Sequence, residues 1–390
     1  MSLQTIKNNG SSVNQSGGSK LGSGAYGCVI TPPVPCRRST VKNLSTKKFV
    51  SKLIPEKLDK MGIQMINEEM SVYKILNKLD PKQEKFILPV DYCNLDEKDA
   101  IVSTRGRDDV KIVKFLKSSF KKGDYDYEFY TDARGKTKRY RDSDKFCPID
   151  TRIKPLNIIF PYGGVSLDEM LTSRKWLQYR PYYRQYYPAI FRKLLIALDV
   201  LHRHHIVHCD IKQDNIICMP PKKNGEHWVY NDKLVRFIDF GFAYNVKKNY
   251  KDHLFYIEGT DIPLDIYVAN YIHTYKQRHI REIIEDLRDE NEFIGDIWNI
   301  DDVELVRSVI SKLERKIKNR EYADDFRRHM DGIAYKADIF SLGITFAICA
   351  AQLRINLTNE LRDLLFNMLN VDPWARFNVE QCLGHKFFKN

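Results

Sequence analysis

The chain has 390 residues, 43% hydrophobic and 12% aromatic, which excludes a disordered chain and suffices for a core in one two-lobed fold or in two or three domains. Its 63 Lys and Arg against 51 Asp and Glu leave +12. With acids interspersed throughout, that charge reads first as a solvated basic surface and gives no strong case for nucleic acid.

The eight cysteines (Cys28, Cys36, Cys93, Cys147, Cys209, Cys218, Cys349 and Cys382) form no CxxC pair and no zinc-finger spacing with histidine. Free thiols in a reduced, cytoplasmic compartment are the expectation. The start of the chain has no signal-peptide-like apolar core. The longest apolar run, Phe340 to Leu353, has 14 residues, fewer than the roughly 20 that span a bilayer. It reads as a buried helix, and no transmembrane segment is expected.

Residues 1–19, rich in Ser, Asn and Gly, read as a flexible tail. Then Leu21-Gly22-Ser23-Gly24-Ala25-Tyr26-Gly27-Cys28-Val29 reads as strand, glycine turn and strand. Without Cβ atoms, such a turn lets backbone N–H groups approach a polyphosphate, though an ordinary glycine hairpin fits equally well. Phe49 to Ile54 reads as a strand with Val50 and Lys52 on one face. An inward lysine needs an anionic partner, because a buried unpaired ammonium is costly. Residues 58–79 carry apolar groups at helical spacing and stop at Asp80-Pro81. Glu68 and Glu69 lie on its apolar stripes, either able to meet Lys52, with Glu69 preferred. Phe86 to Val90 and Leu156 to Phe160 read as further strands.

Residues 105–154 carry 15 Lys and Arg and 9 Asp and Glu, so +6 of the charge sits there. They read as a basic surface insertion, partly helical around 110–120. Their Arg-Gly-Lys-Thr at 134–137 matches part of a phosphate loop, but Tyr130 stands where that pattern needs glycine. From Ser166 the chain reads as mostly helical, with strands at Ile216 to Met219 and Leu234 to Ile238 and a charged helical insertion at 276–330.

The most informative stretch is His208-Cys209-Asp210-Ile211-Lys212-Gln213-Asp214-Asn215, lying between an apolar helix and an apolar strand. Asp210 can orient a hydroxyl proton, Lys212 can reach a transferring phosphoryl group, and Asn215 can offer a carbonyl oxygen to Mg²⁺. Downstream, Ile238-Asp239-Phe240-Gly241 ends a strand with an acid that can hold a second metal site.

In this order and spacing the sequence resembles the eukaryotic-type protein kinase family over about residues 20–390. The resemblance implies an α+β fold of two lobes: a small antiparallel-sheet lobe at 20–162 and a mainly helical lobe at 163–390. It implies that Leu21, Gly22, Gly24, Gly27 and Val29 cover the nucleotide and that Lys52, held by Glu69, grips its phosphates. Phe160 to Gly164 would be the hinge, with Tyr162 at the adenine. Asp210 and Lys212 would be catalytic, and Asn215 and Asp239 would hold Mg²⁺ or Mn²⁺. Asp338 would anchor the catalytic-loop backbone from a central helix, and Arg376 would pair with Asp265, in place of the family's glutamate. Lys212 is the Ser/Thr-kinase pattern, which implies ATP-dependent phosphorylation of protein serines and threonines. Cys209 stands where most members have arginine, and no Ala-Pro-Glu motif follows Gly241. The long insertions resemble the divergent kinases of large cytoplasmic DNA viruses. A pseudokinase or kinase-like scaffold that binds partner proteins is the alternative, and a kinase of small molecules a third reading.

Overall fold

A run of β-branched and aromatic residues bounded by turn residues favours a strand, and apolar residues at i, i+3 and i+4 favour a helix. The computed structural model bears this out over the residues it describes: 19–24, 27–31, 33, 36, 48–54, 60–94, 128–131, 137–140, 156–224, 227–229, 234–247, 323–370 and 372–389. These fall into two compact units, one drawn from 1–59 and 89–162, the other from 60–88 and 163–390. Their architecture is α+β, with an antiparallel sheet in the first unit and mostly helices in the second.

The first unit contains β1 (Ser19–Gly24), β2 (Gly27–Thr31), β3 (Phe49–Ile54), β4 (Asp91–Asn94), a separate hairpin of β5 (Glu128–Thr131) and β6 (Thr137–Tyr140), and β7 (Leu156–Pro161). The five-stranded sheet runs β1-β2-β3-β7-β4. Its register sets Gly24 opposite Gly27, and Lys52 between Val29 and Ile158. Leu53, Ile54, Ile158 and Ile159 are buried in the core. The strand expected at 86–90 is displaced to 91–94. Pro89 offers no N–H to a ladder, and Asp80 collects the N–H groups of Glu84, Lys85 and Phe86.

The expectation of free thiols throughout is corrected here. Cys36 and Cys93 form a disulfide, their Cα atoms 5.9 Å apart. The Asn157 amide lies over both sulfurs, and Ile159 packs beside them. Cys209, Cys218, Cys349 and Cys382 are free.

The second unit begins with α1 (Lys60–Leu79). Phe86 and Phe237 form a parallel bridge, and Lys85 and Ile87 bond the Phe237 backbone. The turn after α1 is thereby sewn to the strand that leads to Asp239. Next come β8 (Val165–Ser166), α2 (Leu167–Thr172), a 3₁₀ turn (Arg174–Tyr179), α3 (Arg180–Gln185), α4 (Tyr187–Arg203), β9 (Ile206–Val207), β10 (Ile216–Cys218), β11 (Lys222–Asn224), β12 (His227–Val229), β13 (Val235–Phe237) and β14 (Tyr244–Asn245). The unit closes with α5 (Ala323–Leu353), α6 (Asn359–Met368) and α7 (Val379–Leu383). Ser166, Thr358 and Asn378 cap α2, α6 and α7 with their side chains, each worth about 1 kcal/mol. One stripe of α4, Ile190, Phe191, Leu194, Leu198 and Leu201, is buried, and each of these side chains contributes about 1.5–3 kcal/mol.

Helix α5 is longer than the 14-residue apolar run suggested. Residues 323–330, expected in the charged insertion, already belong to it. Its stretch Gly332–Leu353, 22 residues with mean hydropathy 1.5, is long and apolar enough to cross a membrane by composition, but 78% of that window is buried inside the protein. Its apolar character is therefore accounted for by a core position. The region expected to be helical at 110–120, most of the 276–330 insertion and Asp265 lie outside the described residues.

Candidate active site

The second unit assembles Glu69, Asp210, Lys212, Asn215 and Asp239. The antiparallel pairing of β10 with β13 sets Ile216 against Phe237. The ladder extends one step further, with the Ile238 N–H donating to the Asn215 carbonyl at 3.0 Å. Two segments distant in sequence thus end side by side, the Asn215 backbone directly bonded to the residue that precedes Asp239.

The turn that carries Asp210 is shaped from below by Asp338 on α5. The Asp338 carboxylate is buried, at 1% exposure. Its Oδ2 accepts from the His208 N–H at 2.9 Å and lies 3.0 Å from His202 Nε2; its Oδ1 accepts from the Cys209 N–H at 2.9 Å. These bonds fix Cys209 at φ 62°, a left-handed conformation that costs a residue other than glycine about 1–3 kcal/mol. His208 is fully buried. Its Nδ1 accepts the Asp210 N–H, so the proton on Nε2 is the one donated to the Ile238 carbonyl. The imidazole therefore ties the Asp210 turn to the Asp239 turn. Asp338 fits its expected place, whereas His202 was not foreseen, because a histidine on a helix gives no sign of what it faces. Arg376 is buried, donates to the Asn370 and Lys336 carbonyls and lies over the Phe340 ring.

Asp210 is held on both sides. Its Oδ1 pairs with Lys212 Nζ at 2.9 Å. Its Oδ2 accepts from Asn215 Nδ2 at 2.6 Å, and its carbonyl accepts from the same nitrogen at 2.8 Å. Both amide hydrogens of Asn215 are committed, which leaves Oδ1 as its coordinating atom. Burial opposes the charge on Lys212, but the hydrogen bond and charge of Asp210, with the charges of Asp214 and Asp239, raise its pKa overall. The Cys209 thiol is pushed well up by burial, Asp338 and Asp210, so it is a weak nucleophile.

Asp239 also adopts a left-handed conformation, φ 57°, and its Oδ1 accepts the Gly241 N–H at 3.4 Å. A Cβ on Gly241 would come within 3.2 Å of that oxygen and 3.8 Å of Glu69 Oε2, so glycine permits the close approach. Phe240 is fully buried against Tyr73, Phe86 and His208. Of the two candidate acids on α1, Glu69 lies beside this turn, while Glu68 accepts from Gln64 at 3.0 Å. Among the described residues no group of three or more His, Cys, Asp or Glu could hold a metal ion. A cation held by Asn215 and Asp239 would complete its shell with other oxygens.

The first unit carries the remaining expected residues. Gly22, Gly24 and Gly27 stand in the β1–β2 hairpin, with Gly22 opposite Val29; Leu21 is in the same strand, at the register irregularity between Lys20 and Gly22. Lys52 is partly exposed on β3. Tyr162 is 39% exposed and donates its N–H to the Lys48 carbonyl. In the second unit, Gly164 has φ 119°, and a Cβ there would collide with the Cys218 carbonyl. Gly164 is thus a backbone requirement, whereas a Cβ on Gly163 would meet the Ile87 and Ile217 side chains.

Comparison with known proteins places this second-unit site in context. Residues 152–262 match the family model described as Protein kinase domain, a span that includes Asp210, Lys212, Asn215 and Asp239. The chain is 38% identical over 99 residues to "Probable serine/threonine-protein kinase fnkE" of Dictyostelium discoideum, covering 25% of this chain and 7% of that protein. It is 24% identical over 204 residues to "Cyclin-dependent kinase-like 5" of Homo sapiens, covering 50% of this chain and 19% of that one. A solved ROP18 kinase domain, in complex with AMP-PNP and sucrose, aligns with 95% of this chain and 77% of its own at TM-score 0.47 and 14% identity. The curated relatives are matched over less than a fifth of their length.

Proposed function

We propose that the protein is a protein kinase that transfers the γ-phosphoryl group of ATP to serine and threonine hydroxyls of protein substrates. The observation that carries this reading is one carboxylate, Asp210, bonded at once to Lys212 and Asn215, with Asp239 adjoining through the β10–β13 ladder. In the proposed reaction Asp210 orients the acceptor hydroxyl and receives its proton as the oxygen–phosphorus bond forms. The bond from the γ-phosphorus to the bridging oxygen breaks, and ADP leaves with the electron pair. Lys212 neutralises charge developing on the transferring group. Lys52, held by Glu69, would grip the α and β phosphates, Leu21, Gly22, Gly24, Gly27 and Val29 would cover the nucleotide, and Tyr162 would meet the adenine. Asn215 and Asp239 supply oxygens suited to a hard divalent cation, Mg²⁺ or Mn²⁺, which would neutralise phosphate charge. The likeness to kinases of large cytoplasmic DNA viruses, and with it a cytoplasmic location, remains part of the proposal and is carried by the insertions at 105–154 and 276–330.

The test is incubation with labelled ATP, Mg²⁺ and generic basic and acidic proteins, followed by phosphoamino-acid analysis. Label is expected on serine and threonine. Asp210→Asn is expected to fold, to bind ATP and to lose at least about 100-fold in rate, the scale of a lost general base. Wild-type protein that binds ATP and transfers nothing would instead favour the pseudokinase.

A further inference from the structure

On α1, Tyr73 stands one helical turn beyond Glu69, the spacing at which side chains on one face meet. Its hydroxyl donates to Glu69 Oε1 at 2.7 Å. Both side chains are closed to solvent, Tyr73 at 1% and Glu69 at 3% exposure. The same ring meets Phe240 edge-on, with centroids 5.8 Å apart at 74°. Burial, followed by the charges of Glu69 and Asp239, pushes the Tyr73 hydroxyl well above its ordinary 10.0, so it stays protonated and remains a donor. A single rigid side chain therefore touches the helix carboxylate with its polar end and the residue after Asp239 with its face.

We infer that Tyr73 is a positioning residue that couples Glu69 to the Asp239 turn. It fixes Oε1, with Oε2 on the Gly241 side, and it can do so only while Phe240 is packed against its ring. The inference rests on the ATP-dependent reading above. A hydrogen bond to a charged group is stronger than a neutral one, and its loss inside a core strands the acceptor. A purely apolar residue at this position would supply the packing and not the orientation.

The experiment is a double-mutant cycle on the full chain with Tyr73→Phe, Glu69→Gln and both together, read by calorimetry of AMP-PNP with Mg²⁺ and by kcat and KM. Tyr73→Phe keeps the ring. It is expected to weaken AMP-PNP binding and to lower kcat, each by about ten-fold, with the KM for a peptide substrate little changed and the melting temperature lowered by only a few degrees. In the Glu69→Gln background the same change is expected to cost nothing further. Wild-type behaviour of Tyr73→Phe, or an equal loss in both backgrounds, would overturn the inference. So would failure of Tyr73→Phe to fold, since a positioning hydroxyl should not decide folding. Wild-type protein that binds AMP-PNP but transfers nothing sinks the catalytic reading alone, and the binding cycle still decides the role of Tyr73. Absence of AMP-PNP binding by the wild type overturns both.

Discussion

Replacing Asp338 with asparagine changes no volume, so its cost is a matter of hydrogen bonds alone. The carboxylate faces the His202 ring and the His208 and Cys209 N–H groups. An amide has one acceptor oxygen and one NH₂, so at least one donor must then face another donor. If the amide oxygen replaces Oδ2, the Cys209 N–H is orphaned; if it replaces Oδ1, the His208 N–H is. An orphaned buried donor costs about 1–3 kcal/mol, and the surviving bonds lose their charge assistance, for a total of about 3–5 kcal/mol. At about 2–4 °C per kcal/mol for a unit of this size, the melting temperature should fall by roughly 6–20 °C. The effect should be local as well, because Cys209 at φ 62° is held in a strained conformation by the bonds being removed. Calorimetry gives the first quantity; amide hydrogen exchange at His208 and Cys209 gives the second. An Asp338→Asn protein melting within about 1 °C of wild type, with those amides still protected, would refute the view that Asp338 shapes the Asp210 turn.

Three further outcomes are expected. Gly164→Ala should lower stability in urea unfolding by at least about 2 kcal/mol with an unchanged m-value, because φ 119° and the Cys218 carbonyl leave no room for a Cβ. Cys36→Ser with Cys93→Ser, or reduction of the wild type, should destabilise the first unit by up to about 4 kcal/mol, the chain-entropy value for a separation of 57 residues; a reductant-insensitive melting curve would contradict the bridge. Lys212 has its pKa raised above 10.5, with burial outweighed by Asp210. A raised lysine stabilises fully below its unfolded pKa and loses that contribution as pH rises through the folded value. Wild type and Lys212→Met should therefore differ by a constant amount across neutral pH and converge only above about 10.5, as followed by denaturant midpoints at each pH.

Much of the second unit was legible because its signals are local. An apolar stripe names α4, and two short β-branched runs name β10 and β13. The antiparallel pairing of those runs then brings Asn215 and Asp239 together without further information. Glu69 could be narrowed only to a pair of adjacent acids, since helical spacing puts both on apolar stripes; choosing needs the tertiary neighbour, Gly241. The strand after α1 was misplaced for a related reason. Phe86 to Val90 has the composition of a strand, but Asp80 consumes three of the N–H groups around it, and nothing local reveals a carboxylate that reaches forward six residues. The Cys36–Cys93 bridge left no motif, because β4 pairing sets Cys93 opposite Asn157 while Cys36 reaches the same place from outside both strands, packing on Ile159.

The departure at Cys209 can now be placed physically. Most members of the resembled family carry arginine at this position. Here the turn that carries Asp210 is held without one. Asp338 binds both backbone N–H groups of the turn, His208 bridges it to Ile238, and Asn215 and Lys212 fix the Asp210 carboxylate. Each of these contacts comes from within the second unit, and none needs an added charge. Phe240, packed among Tyr73, Phe86 and His208, extends the same support to Asp239. The turn that follows α1 belongs to it too, since Phe86 bridges to Phe237 two residues before Asp239. A small side chain at 209 is therefore compatible with an ordered Asp210 turn, because the backbone geometry is set by a buried carboxylate beneath it.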